Sequence, residues 1–112
     1  MPPDSDIKPQ WYQILLALAD GPRHGLAIRD EVLRQTDGRV RLWPAMLYGS
    51  LRRLEEDGLI AETTPQGPGS DTDRRRFYQL TRHGRRALAA ETAALAAYLA
   101  VAKSKNVAIP EH

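Results

Sequence analysis

The sequence predicts a mainly α-helical domain with one small β-hairpin, and three observations carry that expectation. Apolar residues recur at helical spacing over residues 9–19, 25–36, 44–57 and 81–103. A run of glycine, proline, serine and aspartate, PQGPGSDTD, separates two short β-prone runs, LIAETT and RRRFYQL. The last helical segment is apolar around nearly its whole circumference between Ala87 and Ala102. In chain order these give helix, helix, short strand, helix, strand, loop, strand and long helix. That is the order of a winged helix-turn-helix with an added C-terminal helix.

Composition narrows what such a chain can do. At 112 residues it is one domain with a modest core, and 42% hydrophobic and 27% charged residues describe an ordinary globular chain. The net charge is only +2, yet Arg74, Arg75, Arg76, Arg82, Arg85 and Arg86 fall close together with His83 among them. Local charge of this kind sets the field a partner feels. With no cysteine, disulfides, thiolate metal sites and cysteine nucleophiles are excluded. No basic n-region precedes an apolar run at the N-terminus, and no apolar segment reaches the ~18 residues of a membrane span, Glu91 and Thr92 interrupting the C-terminal run. A cytoplasmic protein without a membrane partner is expected.

Residues 1–8 are polar and proline-rich and read as a flexible arm. In the first helix Trp11, Ile14, Leu15 and Leu18 share one face, and Tyr12, Leu16 and Ala19 form a second strip. One strip serves the core; the second asks for another partner, most simply a second subunit. Asp20-Gly21-Pro22 ends the helix. Ile28, Val32 and Leu33 give the second helix its buried side, and Asp37-Gly38 turns the chain. Val40 and Leu42, alternating with Arg39 and Arg41, suit a very short strand.

The third helix, Pro44 to Asp57, has the clearest signals. Pro44 suits a first turn, and Gly58 with Leu59 suits a Schellman stop closed onto Leu54. Leu47, Leu51 and Leu54 form the inner face, with Ser50 near it. Ala45, Gly49, Arg52, Arg53 and Glu56 point outward, with Tyr48 on the flank. Beyond it, Tyr78 and Leu80 of the returning strand share one side, and Arg75, Phe77 and Gln79 the other. Thr81 is an N-cap for the last helix, in which Leu88, Leu95 and Leu99 line one side. The domains expected are thus an arm (1–8), a winged-helix DNA-binding domain (9–80), a C-terminal dimerisation helix (81–103) and a tail (104–112).

The segments HGLAI, MLYGSLRRLEEDGLI and RRRFYQLTRHGRRAL, in this order and spacing over about residues 10 to 90, resemble the PadR family of bacterial transcriptional regulators. The resemblance implies a homodimer, joined through the terminal and first helices, that represses transcription by binding a double-stranded operator. The single short C-terminal helix resembles the compact subfamily, some of whose members sense small lipophilic molecules, which makes such an effector a candidate partner. Two departures stand out. Leu26 replaces an aromatic after His-Gly, and Trp43-Pro44-Ala45-Met46 replaces a hydroxylic cap and a threonine. Met46 cannot donate a hydrogen bond, so relatives' base contacts do not transfer to it.

Expected DNA contacts are Ala45, Met46, Tyr48, Gly49, Arg52 and Arg53 on the third helix and Arg74, Arg75 and Arg76 at the wing base. Each has an ordinary alternative: Tyr48 packed on the second helix, Arg52 and Arg53 paired with Glu55 and Glu56. Expected dimer residues are Tyr12, Leu16, Leu88, Leu95, Tyr98 and Leu99. Trp11 reads first as a core tryptophan and second as the wall of a pocket for a flat lipophilic compound. His24 reads as the cap of the second helix. His24, His83 and His112 lack metal-ligand spacing, and no nucleotide cradle or catalytic triad is discernible, so no cofactor and no enzymatic activity are expected. The competing reading of the whole is a winged-helix protein-interaction module that does not bind DNA.

Overall fold

The computed structural model of the chain describes residues 7–64 and 76–110. The expected wing loop 65–73, Arg74, Arg75, residues 1–6 of the arm and His112 lie outside the described residues. The elements are α1 (Pro9–Ala17), β1 (Arg23–His24), α2 (Gly25–Gln35), α3 (Pro44–Glu56), β2 (Ile60–Thr63), β3 (Phe77–Leu80) and α4 (Arg82–Ser104). The fold is mainly helical with a small antiparallel sheet, as expected for a winged helix-turn-helix.

α1 begins on a proline in its first turn and ends earlier than position 19. Leu18 and Ala19 donate to Leu15 and Leu16 three residues back, tightening the last turn. Its expected core face is buried at Ile14, Leu15 and Leu18. The second strip divides. Tyr12 and Ala19 pack against the protomer's own core, and the Tyr12 hydroxyl meets Thr92 Oγ1 of α4 at 2.9 Å. Leu16 stays exposed. Ile7, assigned above to the arm, also packs on the core.

The sheet corrects one expectation. β3 is its central strand, flanked by β2 (Ile60 opposite Leu80, Thr63 opposite Phe77) and by β1 (Arg23 opposite Tyr78, His24 opposite Phe77). The third strand is therefore Arg23–His24 and not Val40–Leu42. Residues 40–42 lack a strand partner because β1 already occupies the free edge of β3. Their backbone is tied differently, Val40 N donating to Thr36 Oγ1 at 3.1 Å, while the Leu42 side chain enters the core. A period-two pattern marks a half-buried extended segment, but only a neighbouring edge makes it a strand.

α4 is anchored at its start and free at its end. The Thr81 hydroxyl caps it, accepting from Gly84 N at 2.9 Å, and itself donates to Gly58 O at 2.6 Å. Ala87 and Leu88 are buried. Leu88, expected at a subunit seam, is thus part of the protomer's own core, because the first turns of α4 pack on α1 and the sheet. From Leu95 to Val101 every residue is exposed, Tyr98 at 64%. A helix of 23 residues is about 34 Å long, and the molecule extends to 54 Å along its longest axis. By length and composition α4 is long and apolar enough to cross a membrane, its most apolar 18-residue window averaging a hydropathy of 1.2. This differs from the expectation above, because its many alanines outweigh Glu91 and Thr92.

Candidate nucleic-acid interface

α3 is built as its sequence suggests. Pro44 opens the first turn, and Trp43 at the N-cap gives no side-chain cap. At the other end Gly58 has a φ of 76° and donates to Glu55 O at 3.0 Å, while Leu59 N donates to Leu54 O at 2.9 Å. This is the Schellman arrangement, and its left-handed residue favours glycine. Leu47, Ser50, Leu51 and Leu54 are buried, which leaves Ala45, Met46, Gly49, Arg52, Arg53 and Glu56 facing outward.

The two arginines of α3 are not equivalent. Arg52 is exposed and pairs with no carboxylate among the described residues. Arg53 Nε lies 3.3 Å from Asp57, one turn on, and its guanidinium stands 5.8 Å from the centre of the Trp11 ring. Lys8 Nζ approaches the same ring at 5.1 Å. Trp11 is therefore a half-buried α1 residue between two cations, in cation–π geometry. It touches α3 directly. The ion pair is with Asp57, not with the Glu55 or Glu56 considered from sequence.

The start of α2 forms the flank of this surface. His24 Nδ1 accepts from Ala27 N at 3.1 Å, the capping role expected of it. Its ring meets Phe77 of β3 edge-on, with centroids 5.4 Å apart. The Tyr48 ring lies across Gly25; a Cβ at that position would come within 3.1 Å of Tyr48 Cε1. Tyr48 is nevertheless 49% exposed, so the packed and the outward readings both describe it. Between these groups is an open cleft of about 370 Å³ lined by His24, Gly25, Leu26, Tyr48, Arg76 and Tyr78.

Arg76 borders that cleft, with Nε 3.7 Å from Glu62. A hydrogen bond to the Tyr78 hydroxyl and the charge of Glu62 hold its pKa above the ordinary arginine value. Burial raises the Tyr78 phenol, against the lowering effect of Arg76. Arg76 is thus oriented by neighbours of both adjoining strands. Arg39 and Arg41, just before α3, are exposed and also pair with no carboxylate among the described residues. Arg39 lines a different open pocket, with Gln13, Gln35, Thr36, Asp37 and Val40.

One exposed helix, framed by a capped helix start on one side and the base of a β-hairpin on the other, defines a winged helix-turn-helix protein. Residues 14–90 match the model of the transcriptional regulator PadR-like family, and the chain belongs to that family. This is a family of transcription regulators, not of enzymes. Among solved structures it is similar to a transcriptional regulator from Clostridium thermocellum, with a TM-score of 0.70 and 21% identity over 93% of this chain and 96% of that one. It is also similar to RosR of H. salinarum, with a TM-score of 0.62 and 27% identity over 94% and 82% of the two chains. Bacillus subtilis PadR in complex with operator DNA matches 76% of this chain and 47% of its own, with a TM-score of 0.63 and 22% identity. An uncharacterized 37.1 kDa protein in transposon TN4556 of Streptomyces fradiae is 41% identical over 83 residues. The match spans 74% of this chain but only 22% of that relative.

Proposed function

We propose that this chain is a dimeric, sequence-specific transcriptional repressor acting on double-stranded operator DNA in the cytoplasm. α3 enters the major groove by its N-terminal half, presenting Ala45, Met46 and Gly49. Arg52, Arg76 and the neighbouring Arg74 and Arg75 lie against phosphates, and the Tyr48 hydroxyl reaches the backbone from the flank. Arg53 contributes charge from its place beside Trp11. Phosphate contacts of this kind set register and supply most of the salt-sensitive affinity.

The observation that carries the reading is an exposed Arg52, paired with no carboxylate among the described residues, on the outward face of a helix whose other face is committed to the core. A solvated arginine face gains nothing within the protomer, but gains strongly from a polyanion. Dimerisation is supported by Leu95, Tyr98 and Leu99, all exposed on α4, with Leu16 of α1 exposed as well. Tyr12, bonded to Thr92, holds the two helices together at that surface. Two copies of α3 about one helical turn apart, roughly 34 Å, then address the halves of an inverted repeat. A small lipophilic effector fits the same scheme, since a compound displacing the Trp11 ring disturbs Arg53 of α3 directly.

The test is selection of bound duplexes from a genomic pool, followed by titration of the recovered DNA at two salt concentrations. The expected result is an enriched inverted repeat whose affinity falls steeply with salt. Binding that is indifferent to salt, or no enrichment, refutes the proposal.

A further inference from the structure

The outward face of α3 changes character along its length. Ala45, Met46, Gly49, Arg52 and Arg53 fall within one helical face, and the members nearest the N-terminus are apolar. Met46 is 43% exposed and Trp43, at the N-cap, 64%. Nothing lies within 4 Å of a Cβ placed on Gly49. The neighbouring hydroxyls point elsewhere: Ser50 is buried and the Tyr48 ring lies against Gly25 of α2. On the outward face of the first two turns Ala45, Met46 and Gly49 therefore offer a partner no hydrogen-bond donor, and the exposed Trp43 ring beside them carries a single one, its indole N–H. Arg41 before the helix and Arg52 farther along are exposed cations that bracket this stretch.

In the major groove each base pair shows donors and acceptors, and only thymine also shows an apolar group, its C5 methyl. The side chains of Ala45 and Met46 gain nothing from the polar edges, and leave them dehydrated and unpaired where they cover them. Against a thymine methyl the same side chains bury apolar surface on both sides. Gly49, lacking a side chain one turn on, lets the helix backbone come close enough for Met46 to reach the groove floor.

We infer that Met46, with Trp43 and Ala45 beside it, reads thymine through its C5 methyl, so that the operator half-site is specified by methyl contacts under the start of α3. The inference rests on the proposed DNA-binding function and names what the helix reads. Arg52, nearly two turns farther along α3, holds phosphate and does not contribute to methyl selection.

A random-sequence duplex library is carried through rounds of binding to the full chain, and the recovered pool is then amplified with either dTTP or dUTP. Uracil keeps every hydrogen-bonding edge of thymine and lacks only the methyl. The thymine pool should bind about four-fold more tightly for each methyl contacted, and on the order of fifteen-fold more tightly over the two half-sites of a dimer. Met46→Ala should largely abolish this preference at an unchanged melting temperature, and Met46→Leu should retain it. Arg52→Ala should weaken both pools equally. Equal binding of the two pools by the unaltered protein overturns the inference while leaving the DNA-binding function standing. A preference that survives Met46→Ala overturns the assignment to this residue. Failure to bind either pool at low salt overturns the DNA-binding proposal and this inference together.

Discussion

Two glycines inside helices should respond to alanine with opposite signs. Gly84 lies in the first turn of α4, and a Cβ built there falls 1.9 Å from the Leu59 carbonyl oxygen and 2.8 Å from its carbon. Both are backbone atoms, held by the Schellman turn after α3 and by Thr81 N, which donates to Leu59 O at 3.1 Å. Neither can move away alone. Gly84→Ala must push α4 outward, lengthening the cap from Gly84 N to Thr81 Oγ1 and the link from that hydroxyl to Gly58 O. Overpacking of this kind costs about 1–3 kcal/mol, a weakened cap about 1 kcal/mol, and improved helix propensity returns about 1 kcal/mol. The net loss is on the order of 2 kcal/mol, a drop of roughly 10 °C in Tm for a domain of this size. Gly49 in α3 has open space around it, so Gly49→Ala should gain about 1 kcal/mol from propensity alone. Both variants are read by urea and thermal unfolding followed by circular dichroism, at one protein concentration because any self-association couples to stability. A neutral or stabilising Gly84→Ala refutes the close approach of α4 to the α3–β2 turn. Two shifts of the same sign refute the distinction between the sites.

Arg52→Ala should weaken DNA binding and reduce the slope of log K against log salt by about 0.9 for each phosphate released, with Tm unchanged. Arg53→Ala should lower Tm as well, because its side chain joins Asp57 to Trp11; equal effects of the two substitutions on stability would refute that distinction. Leu99→Glu places a charge on the exposed apolar stretch of α4 and should yield folded monomers by light scattering, whereas a dimer of unchanged dissociation constant would exclude this surface. The Glu31 carboxyl is held below the ordinary carboxylate value, chiefly by its hydrogen bond to Arg34. A depressed folded pKa contributes stability that is present above the unfolded value and lost as pH falls through the folded one. Glu31→Gln should therefore lower the urea midpoint slightly at neutral pH and flatten its fall below about pH 4.5; an unchanged acid limb would refute the pairing.

Much of the fold was legible because local rules and tertiary packing agree along most of the chain. Pro44 and Gly58 bound α3 where proline and a left-handed glycine belong, and Thr81 caps α4 with its own hydroxyl. The inner face Leu47, Leu51 and Leu54 follows from helical periodicity, and the outer face is its complement. The candidate site was legible as a set of residue types on that outer face. It was not legible as a set of charges, since nothing in RRLEED tells which arginine is engaged. Arg53 is held by a tryptophan more than forty positions earlier in the chain, while Arg52 beside it pairs with no carboxylate among the described residues.

Periodicity and turn chemistry act over a few residues, so the identity of the elements, their order and their buried faces were contained in the chain itself. Which pieces become neighbours depends on distant packing. Only the folded structure placed the third strand at Arg23–His24, where β3 had a free edge, and left Val40–Leu42 extended but unpaired. Only it moved Leu88 into the core while leaving Leu95, Tyr98 and Leu99 exposed on the same helix, because the domain is too small to cover more than the first turns of α4. The apolar stripe is continuous in sequence. Where it passes from core to exposed surface is set by the reach of α1 and the sheet.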